Sequence, residues 1–450
     1  MSMELKSYFK DDLVLYGAEI GEAYAKDWSE TLPQNPMAVL RPRSTEDVAL
    51  MLQKATELSQ PIVTQGGRTG LAGGATPKQG EYALSTERLN HILDIDPIGK
   101  TITVQSGVTL QQIQEAAAEH DLLFPLDLGA RGTATAGGIT ATNAGGNQVI
   151  QYGVTRQLIL GLTAVLPDGQ IMAQDNKLLK NNAGFDLKQL MIGTEGTLGV
   201  VTEITFRLFP RRDITKTAFC AAKDFASVAS LLAYAGKYLP GLSSFEVLWR
   251  DYMDEILHVT GKPDLFDTPS PFYILLEVEA AEDTEHFEER LMMAVTDGIV
   301  DDVLLAVNET QRQNFWSYRD SIAELITDMA TAINFDIGIP ITKMSDFTDA
   351  IGKELRESFP GIRLVTFGHI GDGNLHMSAS TGRQDDCMKI EDLVFQRATD
   401  IGGTITAEHG IGVLKKHWLS ACRTDVEITM MRRLKAMLDP ANILNPGRII

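Results

Sequence analysis

Three glycine-rich stretches within the first 200 residues constrain this chain more than any other feature. They are Gln65-Gly-Gly-Arg-Thr-Gly-Leu-Ala-Gly-Gly74, the segment 129–146 with Gly137-Gly138 and Asn143-Ala-Gly-Gly146, and Gly193-Thr-Glu-Gly-Thr-Leu-Gly199. Glycine lacks a Cβ, so it reaches positive φ and lets backbone N–H groups converge on an anion such as a phosphate. A single stretch of this kind reads more readily as a surface turn. Three in one region are harder to dismiss as turns. No GxGxxG lies between a strand and a helix near the start, and no GxxxxGK[ST] occurs, which disfavours both a Rossmann domain and a P-loop.

The elements around these stretches mix helices with short strands. Ser44 and Asp47 resemble a capping box that opens a helix with Val48, Met51, Leu52, Ala55 and Leu58 on its apolar face. A strand over 61–64 follows and leads into the first glycine stretch. Thr101–Gln105 alternates as a half-buried strand, and Thr109 caps a helix carrying Leu110, Ile113 and Ala117. Residues 158–166 read as a strand that turns back at Pro-Asp-Gly, and 199–208 as another. Beyond Pro210-Arg-Arg-Asp213 glycine-rich loops become scarce and acidic helices such as 282–295 take over, so the domain change is placed there. The last helix is expected from Val426 to Leu438.

With 450 residues, 44% of them apolar, the chain can bury a large core in two or three domains. Its formal charge of −20 argues against nucleic acid and against an anionic bilayer. An anionic small substrate is still allowed, because a few cations dominate a cleft within a Debye length of roughly 8–10 Å. Three widely spaced cysteines, Cys220, Cys387 and Cys422, form no disulfide framework or Cys-based zinc site and fit a reducing compartment. The N-terminal residues lack the apolar run of a signal peptide, and no stretch of ~18 apolar residues spans a bilayer. The expected location is the cytoplasm.

On the motifs just quoted, residues about 38–210 resemble the FAD domain of the vanillyl-alcohol-oxidase or PCMH-type flavoprotein superfamily. The resemblance implies an α+β protein: a PCMH-type FAD-binding domain over 1–210, an inserted α+β substrate or cap domain over 211–404, and a C-terminal segment, 405–450, that returns to the FAD domain. It assigns FAD contacts to Gln65, Gly66, Gly67, Arg68, Thr69, Gly70 and Leu71, and to Gly129, Thr135, Gly137, Gly138, Asn143, Gly145 and Gly146. Glu195, Gly196, Val201 and Asn445 complete the set. Some members bond flavin covalently through a histidine in the first loop. Here Arg68-Thr69 occupies that loop, so FAD is expected to be held non-covalently.

A second constellation lies in the last quarter of the chain, which carries half of the eight histidines. His369 and His376 bracket Gly-Asp-Gly-Asn, a turn sequence able to bring the two rings together, and Glu408-His409 sits among glycines. Two imidazoles and a carboxylate suit Zn²⁺, Mn²⁺ or Fe²⁺. His91, His120, His258, His286 and His417 are read as structural, and the absence of HExxH argues against a zincin protease.

Both segments resemble the FAD-linked 2-hydroxy-acid dehydrogenases, the group holding D-lactate dehydrogenases, glycolate oxidase subunits and D-2-hydroxyglutarate dehydrogenases. The resemblance makes His369, His376 and Glu408 ligands of a divalent metal, zinc first, and His409 the general base. Trp316-Ser-Tyr-Arg319 resembles the family's W-x-x-R, so Arg319 is expected to fork onto the substrate carboxylate, with Trp316 and Asn374 as further substrate contacts. It implies oxidation of a small D-2-hydroxy acid, an external acceptor of quinone, cytochrome or electron-transfer-flavoprotein type, and leaves a homodimer open. The 2-hydroxyglutarate enzymes carry a threonine, a lysine and an asparagine where this chain has Ala323, Asn334 and Ser378, which gives weight to a monocarboxylate such as lactate; Lys343 or Arg383 are possible substitutes. Two other classes compete: a metal-dependent hydrolase, which would lack flavin colour, and a catalytically silent FAD subunit of a glycolate-oxidase type.

Overall fold

The computed structural model describes residues 8–9, 11–29, 31–280 and 286–450. They divide into two compact units, one of residues up to 146, 152–211 and 408–450, the other of residues 147–151 and 212–407. The mixture of helices and largely antiparallel sheets gives the α+β class expected from the sequence.

Two sheets organise the first unit. The four-stranded one runs in the order Val14–Tyr16, Ala38–Leu40, Tyr82–Ser85, Ile62–Gln65, with its first pair antiparallel and the others parallel. Helix Thr45–Glu57 makes the connection that parallel strands need. Ser44 caps it by accepting the Asp47 N–H at 3.1 Å, while the Asp47 carboxylate accepts from the Arg43 N–H at 2.9 Å. Its buried Val48, Met51, Leu52 and Ala55 share a core with Leu40 and Leu84 of the sheet, and each of the larger side chains contributes roughly 1.5–3 kcal/mol by leaving water. The five-stranded antiparallel sheet has the order Ile92–Asp96, Thr101–Gln105, Val200–Arg207, Ile159–Val165, Ile171–Gln174. The expected Pro-Asp-Gly hairpin closes by a Leu166 N–H donated to Gln170 O at 2.9 Å. Thr109 forms a full capping box with Gln112 at the head of Leu110–Ala118.

After helix Asp425–Leu438 the chain threads back along the first sheet. Ile62 donates its N–H to Ile443 O, and Asn445 returns one to Ile62 O, both at 2.7 Å. Arg448, only 1% exposed, forks onto Glu81 at 2.6 and 2.8 Å and so has its buried charge compensated.

The second unit is built on a seven-stranded antiparallel sheet. Its order is Asp302–Leu305, Ile214–Ala222, Phe272–Ala280, Leu242–Trp249, Arg363–His369, Asn374–Ser380, Ile333–Gly338. Leu242–Trp249 is buried at every position, as a central strand covered on both faces must be. Of the acidic stretch expected as a helix over 282–295, the structure has a helix at His286–Thr296, and 282–285 lie outside the described residues. No helix among the described residues is long and apolar enough to cross a membrane.

Candidate active site

A cavity of about 440 Å³ opens in the first unit, lined by parts of all three glycine-rich stretches together with Asp27, Trp28, Glu408 and His409. Its volume lies in the range of cofactor sites. The first stretch is pressed against the second: a Cβ on Gly67 would stand 2.0 Å from Thr133 O, which explains why glycine is needed there. Among the described residues, no protein group accepts the backbone N–H of any residue from 66 to 74. Helix Ala136–Thr142 differs, because its first three N–H groups are spent on Val108 O, Ser106 O and Thr135 Oγ1. The first stretch therefore keeps its N–H groups without a protein acceptor beside the cavity, a donor run that fits a dinucleotide diphosphate. Gly67→Ala is expected to weaken flavin binding by roughly 5- to 150-fold, the equivalent of about 1–3 kcal/mol of overpacking. Flavin absorbance per mole of purified protein measures it, and wild-type occupancy at limiting FAD would refute the close approach.

Of the residues expected at FAD, 66–71 and Gly129, Thr135, Gly137, Gly138, Gly145, Glu195, Gly196 and Val201 line this cavity. The other four lie one layer behind it. Gln65 is fully buried and donates its amide to Tyr24 O and Ala75 O at 2.9 and 2.8 Å. Asn143 turns in the left-handed region, where its Oδ1 accepts the Arg156 N–H at 2.9 Å. Gly146 donates its N–H to Glu408 Oε1 at 2.8 Å. Asn445 accepts the Thr64 N–H at 2.8 Å and donates to Glu195 O.

The segment carrying Glu408 and His409 is clamped twice. Gly146 holds the Glu408 carboxylate, and the Glu195 carboxylate accepts the N–H groups of Ile411 and Gly412 at 2.8 and 2.9 Å. Burial raises the Glu195 pKa against the pull of those two N–H groups and of Lys415 and Arg448.

In the second unit the reversal at 370–373 brings His369 and His376 together, with ring centroids 5.2 Å apart and planes at 82°. Glu246, on the neighbouring strand, is the register partner of His369, and its Oε1 lies 2.6 Å from His369 Nδ1. Its other oxygen accepts from Arg319 Nε at 3.1 Å, and Arg319 Nη2 faces His369 Nε2 at 3.2 Å. Burial alone would push the Glu246 carboxyl up, but His369 and Arg319 outweigh it and hold the group at about 2. Trp316, three residues before Arg319, donates its indole N–H to the buried Glu277 at 2.8 Å, and Glu277 also takes Arg312 at 2.6 Å. Asn374 is 4% exposed, and neither Oδ1 nor Nδ2 has a hydrogen-bond partner among the described residues. Ser378 donates to Asn334 Oδ1 at 2.7 Å across directly paired strands. Lys343 donates to Ile401 O at 2.8 Å, and Arg383 has a 72% exposed side chain beside Asp386, so both cations are occupied at the helices they flank.

Glu246, Glu277, Asp27 and Trp28 were not anticipated from the sequence. The first two had a signal: each is an acidic residue inside an otherwise apolar run, Phe245-Glu-Val-Leu248 and Ile274-Leu-Leu-Glu-Val278, and a buried carboxylate demands partners.

Fold and cavity together define a PCMH-type flavoprotein. Residues 36–173 match the family described as FAD binding domain, and 213–449 match FAD linked oxidases, C-terminal domain. The chain is 36% identical to a D-2-hydroxyglutarate dehydrogenase of Stutzerimonas stutzeri, over 99% of this chain and 98% of the relative. It is equally identical to one of Xanthomonas citri pv. viticola, over 95% and 92%. A solved p-cresol methylhydroxylase shares the fold at a TM-score of 0.79 and 16% identity, covering 100% of this chain and 96% of the other. The chain belongs to the FAD-linked D-2-hydroxy-acid dehydrogenase family and is an FAD-linked oxidoreductase.

Proposed function

We propose that the protein oxidises a D-2-hydroxy acid to the 2-oxo acid at its FAD, with help from a divalent cation held by His369, His376 and Glu408. The observation that carries this reading is that the imidazole of His409 lines the same cavity as the glycine-rich donor run. FAD, when bound, supplies the acceptor for the hydride leaving C2. A divalent cation, when bound, lowers the pKa of the substrate hydroxyl. The donor set of two imidazoles and one carboxylate, with the imidazole pair built on adjacent strands, suits zinc, manganese or iron(II).

The remaining work falls to protein side chains. His409 receives the hydroxyl proton as general base. Arg319 pairs its planar fork with the substrate carboxylate, and Asn374 offers a buried amide for a further hydrogen bond. Trp316 is a further substrate contact, its indole fixed by Glu277. The neutral Asn334–Ser378 pair and Ala323 leave a second carboxylate without a cation at these positions, which favours a monocarboxylate of the lactate type over the substrate named by the relatives. Turnover then needs an external acceptor of the quinone, cytochrome or electron-transfer-flavoprotein type. Three cysteines outside any disulfide suit a cytoplasmic setting, and assembly as a homodimer is compatible with this chemistry.

Anaerobic mixing of the flavin-loaded protein with a panel of D- and L-2-hydroxy acids tests the reading. D-acids are expected to bleach the flavin, D-lactate more readily than D-2-hydroxyglutarate. Stripping divalent cations is expected to slow bleaching roughly 100-fold or more, and Zn²⁺ or Mn²⁺ to restore it. A colourless folded protein would point to hydrolysis instead, and a yellow one that no hydroxy acid bleaches to a silent subunit.

A further inference from the structure

Glu246 is the only charged side chain in the strand Leu242–Trp249, and at 1% exposure it is out of reach of water. Removing a carboxylate from water costs several kcal/mol, and a well-packed apolar side chain of similar size stabilises a fold as well or better. Its partners explain what it does there. Directly opposite His369 in the strand pairing, it sets Oε1 2.6 Å from Nδ1 of that ring. The other ring nitrogen, Nε2, meets Arg319 Nη2 at 3.2 Å. A carboxylate held ionised only accepts, and a guanidinium only donates. Both contacts therefore assign one tautomer to His369: the hydrogen on Nδ1, the lone pair on Nε2. In that tautomer an imidazole can ligate a metal once Arg319 Nη2 yields the Nε2 lone pair to the cation, and a carboxylate on the far nitrogen fixes its orientation and raises its basicity.

The same carboxylate reaches the second element of the site. Its Oε2 accepts from Arg319 Nε at 3.1 Å, which anchors one edge of the guanidinium while Nη2 is directed at His369 Nε2. Tyr252 braces the backbone from behind by donating its hydroxyl to Arg319 O at 2.7 Å. An arginine already fixed at one edge loses less rotamer entropy when it pairs with a carboxylate. We propose that Glu246 is a positioning residue that sets His369 in its metal-ligating tautomer and pre-orients Arg319, so that cation and substrate carboxylate are aligned by one buried group. The proposal rests on the assignment of His369 as a metal ligand and Arg319 as the carboxylate anchor.

The test uses the flavin-loaded full chain. Zn²⁺ and Mn²⁺ affinities of wild type and Glu246→Gln are measured by competition with a chromophoric chelator, alongside KM and kcat for a bleaching 2-hydroxy acid. Glutamine keeps the shape but loses the charge, and cation affinity is expected to fall about 10- to 100-fold. KM is expected to rise about tenfold while flavin content stays unchanged. Glu246→Asp, which restores the charge on a shorter arm, is expected to recover part of both losses. Nitrogen-15 NMR of histidine-labelled, chelator-treated wild type is expected to show His369 protonated at Nδ1, a readout that does not depend on any variant folding. A folded Glu246→Gln protein with wild-type affinity for both cations overturns the proposal, as does an Nε2-protonated His369. If wild type itself takes up neither cation, the metal assignment fails and this inference with it.

Discussion

With alanine at position 409, bound FAD is expected to stay in place and resist reduction by the hydroxy acid, the rate falling by about 10²- to 10⁴-fold. Retention follows from the division of labour in the cavity. The donors that suit a diphosphate belong to residues 66–74, whereas His409 belongs to a separate segment pinned by Glu195 and Gly146. Removing the imidazole leaves those clamps intact, because they act through the backbone of 411 and 412 and through the Glu408 carboxylate. The consequence is kinetic: the substrate hydroxyl loses its proton acceptor. Anaerobic stopped-flow absorbance of the flavin band measures the effect. A variant reduced at the wild-type rate removes His409 from the mechanism, and one purified without flavin shows the residue to be part of the binding site instead.

Arg319→Ala is expected to cut kcat/KM by about 10²- to 10⁴-fold, mostly through KM, because two charge-assisted hydrogen bonds of about 1.5–3 kcal/mol each are withdrawn from the substrate carboxylate. A second loss comes with it. Glu246 keeps its contact with His369 but is deprived of the guanidinium, and breaking a buried pair in this way costs about 3–5 kcal/mol of stability. Arg319→Lys separates the two effects: an ammonium restores a positive charge near Glu246 but not the planar fork. The lysine variant is therefore expected to recover stability in thermal melts and to remain poor in KM. Equal KM values in all three proteins would mean that the substrate carboxylate is held elsewhere.

Local chemistry made much of this molecule legible in advance. The Ser44 and Thr109 caps, the Pro-Asp-Gly hairpin and the turn between His369 and His376 are each specified by residues a few positions apart, and each stands as the sequence indicates. The glycine-rich stretches showed that the backbone must approach something closely. They did not show which side chains are taken up by the protein itself: the amides of Gln65, Asn143 and Asn445, residues expected at FAD, hydrogen-bond to neighbouring backbone. Glu246 was missed for a different reason. Its two partners lie 73 and 123 residues away along the chain: the strand order of the seven-stranded sheet puts His369 opposite it, and Arg319 reaches it from the helix Glu309–Asp320. Nothing in its immediate neighbours announces that pairing.

The crossing of Ile62 with Leu444, and of Thr64 with Asn445 at a separation of 381 residues, sets a timetable for biosynthesis. A ribosome releases the four-stranded sheet early, yet the backbone that completes its edge emerges only after the whole inserted unit has been made. At about 5–20 residues per second that interval is tens of seconds, during which the nascent half-domain carries an open strand edge and an unfinished flavin cradle. Completion of the flavin cradle thus waits until residues 443–445 have emerged and paired with that edge.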